Sequence, residues 1–393
     1  MGIVVKNESS LAVKVEVTEG TYVAPASAAD FIEVVSAGAG LKLERETIER
    51  NNLSSTIEAS APRVGLKNAS GTIPIELTTN ASEGLAPPAD PLLHSLLGGK
   101  RQLGTAVTSK SSGHTSLSIK IEDADIASFV VNGVYLFKLS TGYEVRPIVA
   151  KVTTPGSASI TLPFAFEGGT ASGAVVIAKM TQYYYAEGGP SLSVTYYQGG
   201  AIEEKGLGMR VVSGSLDNWT TGSLPQLTCN LEGLDIEKSV AAPAYTPDFS
   251  GNALPPVLLG ACVYFNGVEI QYNELGLSIE NTKTDIKSAC SPDGKIGSRF
   301  TEFKVSGSIN PYMDDDNVDR FNSFNDNDTV SVFGFARNPG TVDGQEIQWF
   351  AFWIPNAKIT QIPAGDVDGI VTDAIEFQAF KSAGNDTIFL SFI

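Results

Sequence analysis

The sequence predicts an all-β protein with two short helices, organised as a duplicated β-sandwich or barrel domain that carries an inserted small β domain. Three observations carry this reading. Apolar residues alternate with period two along much of the chain, helical periodicity is scarce, and two long segments repeat at one fixed offset. Composition agrees, because 39 glycines and 20 prolines in 393 residues interrupt the chain with turns.

In chain order, the first clear alternation is Ile73, Ile75 and Leu77, each beside small or polar neighbours. It describes a strand with one buried and one exposed face. A short helix is predicted over 89–97 (ADPLLHSLL), after two prolines, with Asp90 as its N-cap and Gly98-Gly99 as its stop. Alternation returns at Leu117, Ile119 and Ile121, and again at Leu227, Cys229 and Leu231. The Asn132-Gly133 and Asn266-Gly267 dipeptides, flanked by β-formers, predict hairpins. A second helix is predicted over 315–324, with acidic residues in its first turn and Val318, Phe321 and Phe324 on one side. The last strands are Ile375, Phe377, Ala379 and then Ile388, Leu390, Phe392.

The repeat appears when the sequence is slid by 236 positions: Ile32-Glu33-Val34 falls on Val268-Glu269-Ile270, Leu41–Glu44 on Leu277–Glu280, and Ser70–Ile73 on Ser306–Ile309. Both copies run strand, strand, long polar loop, strand, short helix, further strands. The first copy holds extra residues after its helix, rich in β-forming runs. The predicted division is therefore 1–115 with 187–245 as one domain, 116–186 as an inserted barrel or sandwich, 246–256 as a linker within a Pro-rich bridge, and 257–393 as the second domain.

Charge bounds the function. With 27 Lys+Arg against 44 Asp+Glu the net charge is −17, which argues against gripping nucleic acid or an anionic membrane. No run approaches the roughly 18 apolar residues of a spanning helix, and the opening MGIVVKNESS lacks the pattern of a secretory signal. Three widely spaced cysteines, Cys229, Cys262 and Cys290, form neither a disulfide framework nor a zinc motif. The expected state is soluble, with buried thiols.

No constellation of residues marks an active site. A nucleophile–histidine pair would have to use His94 or His114, and no GxSxG elbow or phosphate loop is present. The acidic run Asp314, Asp315, Asp316, Asn317, Val318 and Asp319 lacks the glycine and terminal glutamate of a calcium loop and reads as a helix start. Tyr183-Tyr184-Tyr185 and Tyr196-Tyr197 suit sugar stacking or, as β-formers, half-buried strand positions. No cofactor and no metal is expected, and no enzymatic activity.

The constellation resembles the tail tube (major tail) proteins of long-tailed bacteriophages. The stretch VEVTEGTY at 15–22, an acidic strand running into a Gly-Thr turn, is similar to their opening; GDVDG at 365–369, AIEFQA at 374–379 and the strand at 387–393 are similar to their ending. The resemblance implies rings stacked into a tube around a continuous β-barrel. A chain with two tube domains implies homotrimeric, pseudo-hexameric rings, with the polar loops 44–68 and 280–304 making ring-to-ring contacts. Carried onto this sequence, the candidate contacts are Glu44, Glu49, Arg50, Arg63, Glu280, Asp285, Lys287 and Arg299. The implied partners are further copies of the chain and tape measure, baseplate and tail terminator proteins. DNA would pass through an acidic lumen without specific binding, and the protein would reside in the virion tail after assembly in the host cytoplasm. A rival of a different class is a glycan- or receptor-binding tail or surface protein acting through the insert; a glycosidase using paired carboxylates is a third.

Overall fold

The structure is a computed structural model that describes residues 8–50, 61–259, 261–291, 294–314, 316–337 and 348–393. It is all-β with two α-helices, α1 (Asp90–Leu97) and α2 (Asn317–Asn325). Most strands join one large sheet system, and two small sheets lie between 107 and 177.

The large system has two halves with the same order of elements. The first runs Ser10–Val15, Phe31–Ile32, Gly40–Ile48, Arg63–Glu76, α1, Leu192–Gln198, Ile202–Thr220, Gln226–Gly233 and Asp235–Val240. The second runs Cys262–Phe265, Val268–Ile270, Tyr272–Lys287, Lys295–Pro311, α2, Val330–Arg337, Trp349–Gln361, Ile375–Ala379 and Phe389–Phe392. Registers correspond as well as order. Leu41 stands opposite Gly71 and Glu44 opposite Asn68; Leu277 stands opposite Gly307 and Glu280 opposite Lys304, every residue displaced by 236. The hairpins also share a bulge, between Arg45 and Thr47 in one and between Thr282 and Lys283 in the other. A second shared bulge lies between Val211 and Ser213 and between Ile359 and Gln361. A one-residue slip would flip every side chain to the other face, so register is held wherever one face is buried.

That buried face is continuous across both halves. Ile73, Cys229, Leu231, Val211, Leu277, Ile279, Val305 and Phe377 belong to one core cluster, which α1 covers with Leu92, Leu93, Leu96 and Leu97. Trp219 closes it at one end, its indole N–H donating to the Tyr272 hydroxyl at 2.9 Å and its ring edge-on to Phe352 at 5.7 Å.

A second core lies between the insert and the second half. Ile119, Phe129 and Phe137 meet Tyr264, Phe333, Trp349, Trp353 and Phe389 there. Arg146 is 1% exposed in this layer, paired with Glu144 at 2.6 Å and lying over the Phe164 ring at 4.9 Å. The insert thus leaves the first half after α1 and rests on the second.

Several expectations change in detail. Asn266 and Gly267, at φ +50° and +83°, do turn a tight hairpin, with Phe265 opposite Val268. Asn132-Gly133 is also a turn, but 129–131 is not a strand: Val130 donates its N–H to the Tyr135 hydroxyl, and Val134–Leu139 pairs instead with Gly142–Pro147. Leu117 is exposed, leaving Ile119 and Ile121 as the core positions of that run. Met180–Tyr185, placed in the insert by its sequence, is a strand of the large sheet between Gly98–Leu103 and Phe389–Phe392. Ala89, not Asp90, caps α1; the Asp90 carboxylate accepts from the Tyr183 hydroxyl at 2.5 Å and pairs with Lys100 at 2.7 Å. The 241–256 bridge has no strand and is fixed to the first half where Ala253 N–H donates to the Thr79 carbonyl at 3.1 Å.

Candidate assembly surfaces

The face opposite the core is polar because strand alternation puts serine, threonine and charged residues there. One shallow groove on it is lined by Ser215, Asp217, Ser278, Lys304, Ser306, Ser308, Glu376 and Gln378. Its counterpart in the first half is lined by Lys42, Ser70, Thr72, Asn230 and Glu232. Glu44 sits beside Lys42 in an exposed ion pair that holds its carboxyl below the usual carboxylate range.

The halves join edge to edge, with Ser213 opposite Glu280 and Leu216 opposite Leu277. Among the edges that remain open in the described residues, two belong to the counterparts of the strands in this joint. Gly40–Ile48 bonds only to Arg63–Glu76, and the end of Trp349–Gln361 beyond Ala357 bonds only to Ile375–Ala379. An open, extended edge is a template for another chain.

The second hairpin is fastened within its own chain. Arg210 pairs with Glu19 at 3.0 Å, and the Ser298 hydroxyl donates to Glu19 at 2.5 Å. Burial by itself raises the Asp285 carboxyl, but the ammonium groups of Lys283 at 2.8 Å and Lys295 at 2.7 Å outweigh it and hold it below the usual carboxylate range. Lys295 also donates to Asn68 at 2.9 Å, so this hairpin leans on the first.

The candidate contact residues therefore divide. Glu44, Glu280 and Arg299 lie exposed on the strands, with Arg299 3.9 Å from Glu19. Glu49, Arg50 and Arg63 are exposed at the end of the first hairpin, and Lys287 at the end of the second. Asp285 is engaged inside the chain. The tip residues 51–60 of the 44–68 loop lie outside the described residues.

Sequence reasoning missed α2's orientation. Its buried residues are Asn317 and Arg320, and the apolar side stays in solvent, with Val318 64% and Phe321 57% exposed. Arg320 is hydrogen-bonded to Asp314 and Asn317, and Asn317 to Asp373, so the acidic run serves a buried arginine. Asp315 lies outside the described residues, among which no three His, Cys, Asp or Glu side chains are grouped to hold a metal. The tyrosines are absorbed too: Tyr183, Tyr196 and Tyr197 are buried, and Tyr185 stacks on Phe303 at 4.1 Å. His114 accepts from the Lys120 N–H at 3.1 Å inside the insert, and His94 lies on α1.

An all-β chain with a polar sheet face and open strand edges is suited to adding strands from another chain. The chain belongs to the phage tail tube protein family, whose model matches residues 6–379. None of the curated proteins compared with it matches. Membership makes it a structural component of the virion tail that self-assembles into a tube, in a family not normally enzymatic.

Proposed function

We propose that the chain is the unit of stacked, homotrimeric rings, each ring closing a β-barrel to which every chain contributes two equivalent tube domains. The observation that carries this is the edge-to-edge joint inside the chain between two halves of common register, which makes one chain two neighbouring segments of a ring. The domain division follows, with Met180–Tyr185 moved from the insert to the large sheet: 1–115 with 180–245, the 116–179 insert, the 246–256 linker, and 257–393.

The polar face lines the bore in this reading. Asp217, Glu232, Glu280 and Glu376 outnumber Lys42 and Lys304 on it and give a net acidic wall that repels phosphate, so DNA slides through without adhering. The hairpin ends bearing Glu49, Arg50, Arg63 and Lys287 reach the adjacent ring, and Glu44, Glu280 and Arg299 line the strands beneath them. Tube growth would begin on a baseplate complex around the tape measure protein and stop at a terminator, in the host cytoplasm.

Electron microscopy and native mass spectrometry of the concentrated protein test this. Hollow tubes built of three-chain rings are expected. Six-chain rings, or a chain that stays monomeric at every concentration and salt, would overturn it.

A further inference from the structure

At the joint inside the chain, Ser213 faces Glu280, Gly214 faces Ile279, Ser215 faces Ser278 and Leu216 faces Leu277. Each of the two strands has a counterpart with an open edge. Tyr272–Lys287 corresponds to Gly40–Ile48 at 236 positions earlier, bulge included. Ile202–Thr220 corresponds to Trp349–Gln361 and its continuation, with Ser213 and Gln361 both directly after the shared bulge.

We infer that these two open edges close on one another between chains, in the register of the internal joint. Gln361 then lies opposite Glu44 of the next copy, Ile362 opposite its Leu43 and Ala364 opposite its Leu41. This rests on the ring reading above and adds the partner surface and its alignment.

Backbone chemistry permits it. Pro363 has no N–H to give, but its carbonyl accepts from Ala374 N–H at 2.9 Å, so its backbone groups point toward its own sheet. The missing donor is therefore on the satisfied side, and Ile362 and Ala364 present their N–H and C=O groups to the open edge. Faces also agree. Ile362, Leu41 and Leu43 are half-buried against the core cluster, whereas Gln361 and Glu44 are exposed.

The helices supply the second argument. At the internal joint the Asn281 side-chain amide donates to the Leu96 carbonyl near the C-terminus of α1 at 2.8 Å, and α1's leucines are buried. Arg45 is the counterpart of Asn281, and α2 is the counterpart of α1. The carbonyl end of α2 has no basic residue in its own last turn; Lys358 of the same chain hydrogen-bonds the Asn327 carbonyl just beyond it, and Asp326 beside it offers a carboxylate that suits a guanidinium from the next copy. The exposed Val318, Phe321 and Phe324 would be covered by the same approach.

Cysteine pairing tests the register. In a Cys290→Ser background, the Glu44→Cys, Gln361→Cys double variant should give disulfide-linked dimers and trimers when assembled rings are oxidised. A Lys42→Cys, Gln361→Cys double variant, displaced by two residues, should stay unlinked, because Cα atoms beyond about 7 Å cannot be bridged. Rings that form without the first cross-link, or with the second, overturn the register and leave the ring reading standing. Absence of rings in the parent protein overturns the ring reading, and the inference with it. A Phe321→Asp variant should keep the parent's circular dichroism and Tm yet lose ring formation; rings that persist would remove α2 from the joint.

Discussion

Arg210 and Glu19 form an ion pair at 3.0 Å, and Ser298 bridges the two, accepting from the guanidinium Nε at 3.1 Å and donating to the carboxylate at 2.5 Å. The three residues come from the loop after the first strand, the long bulged strand and the second hairpin, so a segment near the N-terminus clamps an element of the other half.

Removing one partner leaves the other charge buried. Glu19→Ala should lower unfolding stability by about 3 kcal/mol, and adding Arg210→Met should recover part of the loss. Urea denaturation reads both. A loss near zero for the single variant would show that other contacts hold the hairpin.

Asp285 gives a pH signature. Its carboxyl lies below the usual carboxylate range because Lys283 and Lys295 outweigh the opposing effect of burial. A depressed carboxylate contributes stability that is present above its unfolded pKa and lost as pH falls through the folded value. Asp285→Asn should therefore destabilise the protein at neutral pH, and the difference should be smaller at about pH 3, as pH falls toward the depressed folded value. Denaturant midpoints at the two pH values check this; a constant difference would contradict it.

The thiols should react unequally. Burial pushes the Cys229 thiol up to about 12, and burial together with the Glu269 carboxylate does the same to Cys262. Cys290 is exposed. At about pH 8, where the thiolate is the reacting form, an alkylating reagent should label Cys290 alone until the chain is unfolded. Peptide mass spectrometry would show it.

The paired glycines should differ in tolerance. A Cβ on Gly307 would lie 2.5 Å from the Phe377 ring and 2.8 Å from the Gly276 carbonyl; one on Gly71 would meet the tip of Leu41 at 2.7 Å. Leu41 is on an open edge and can swing, while Phe377 is buried in the core. Gly307→Ala should cost about 2 kcal/mol and Gly71→Ala less than about 1. Equal losses in thermal unfolding would refute the distinction.

Much of this architecture is legible in the residues. Period-two alternation marks the core strands, and the displacement of 236 marks the repeat because fixed register keeps equivalent residues on equivalent faces. Partnership is what the sequence does not carry. Phe129-Val130-Val131 has the composition of a strand, yet its backbone meets Tyr135 rather than a neighbouring strand. The apolar stripe on α2 is readable, but its direction is set by Arg320, which turns inward to Asp314 and Asn317. Asp285 resembles Glu49 by position, and only the proximity of Lys283 and Lys295 makes it an internal residue. The open edges are defined by what does not pair with them, which no local pattern records.

The 241–256 bridge, pinned by Thr79 and Ala253, has a kinetic consequence. In the proposed ring, tethering makes one of every two joints an intramolecular event, at an effective concentration on the order of millimolar for a short linker. Closing the proposed three-chain ring then takes two bimolecular encounters and one closure, instead of the five encounters and one closure that six separate domains would need. Nucleation becomes less steeply dependent on subunit supply, and the two segments are free to diverge, so one can carry an insert that the other lacks.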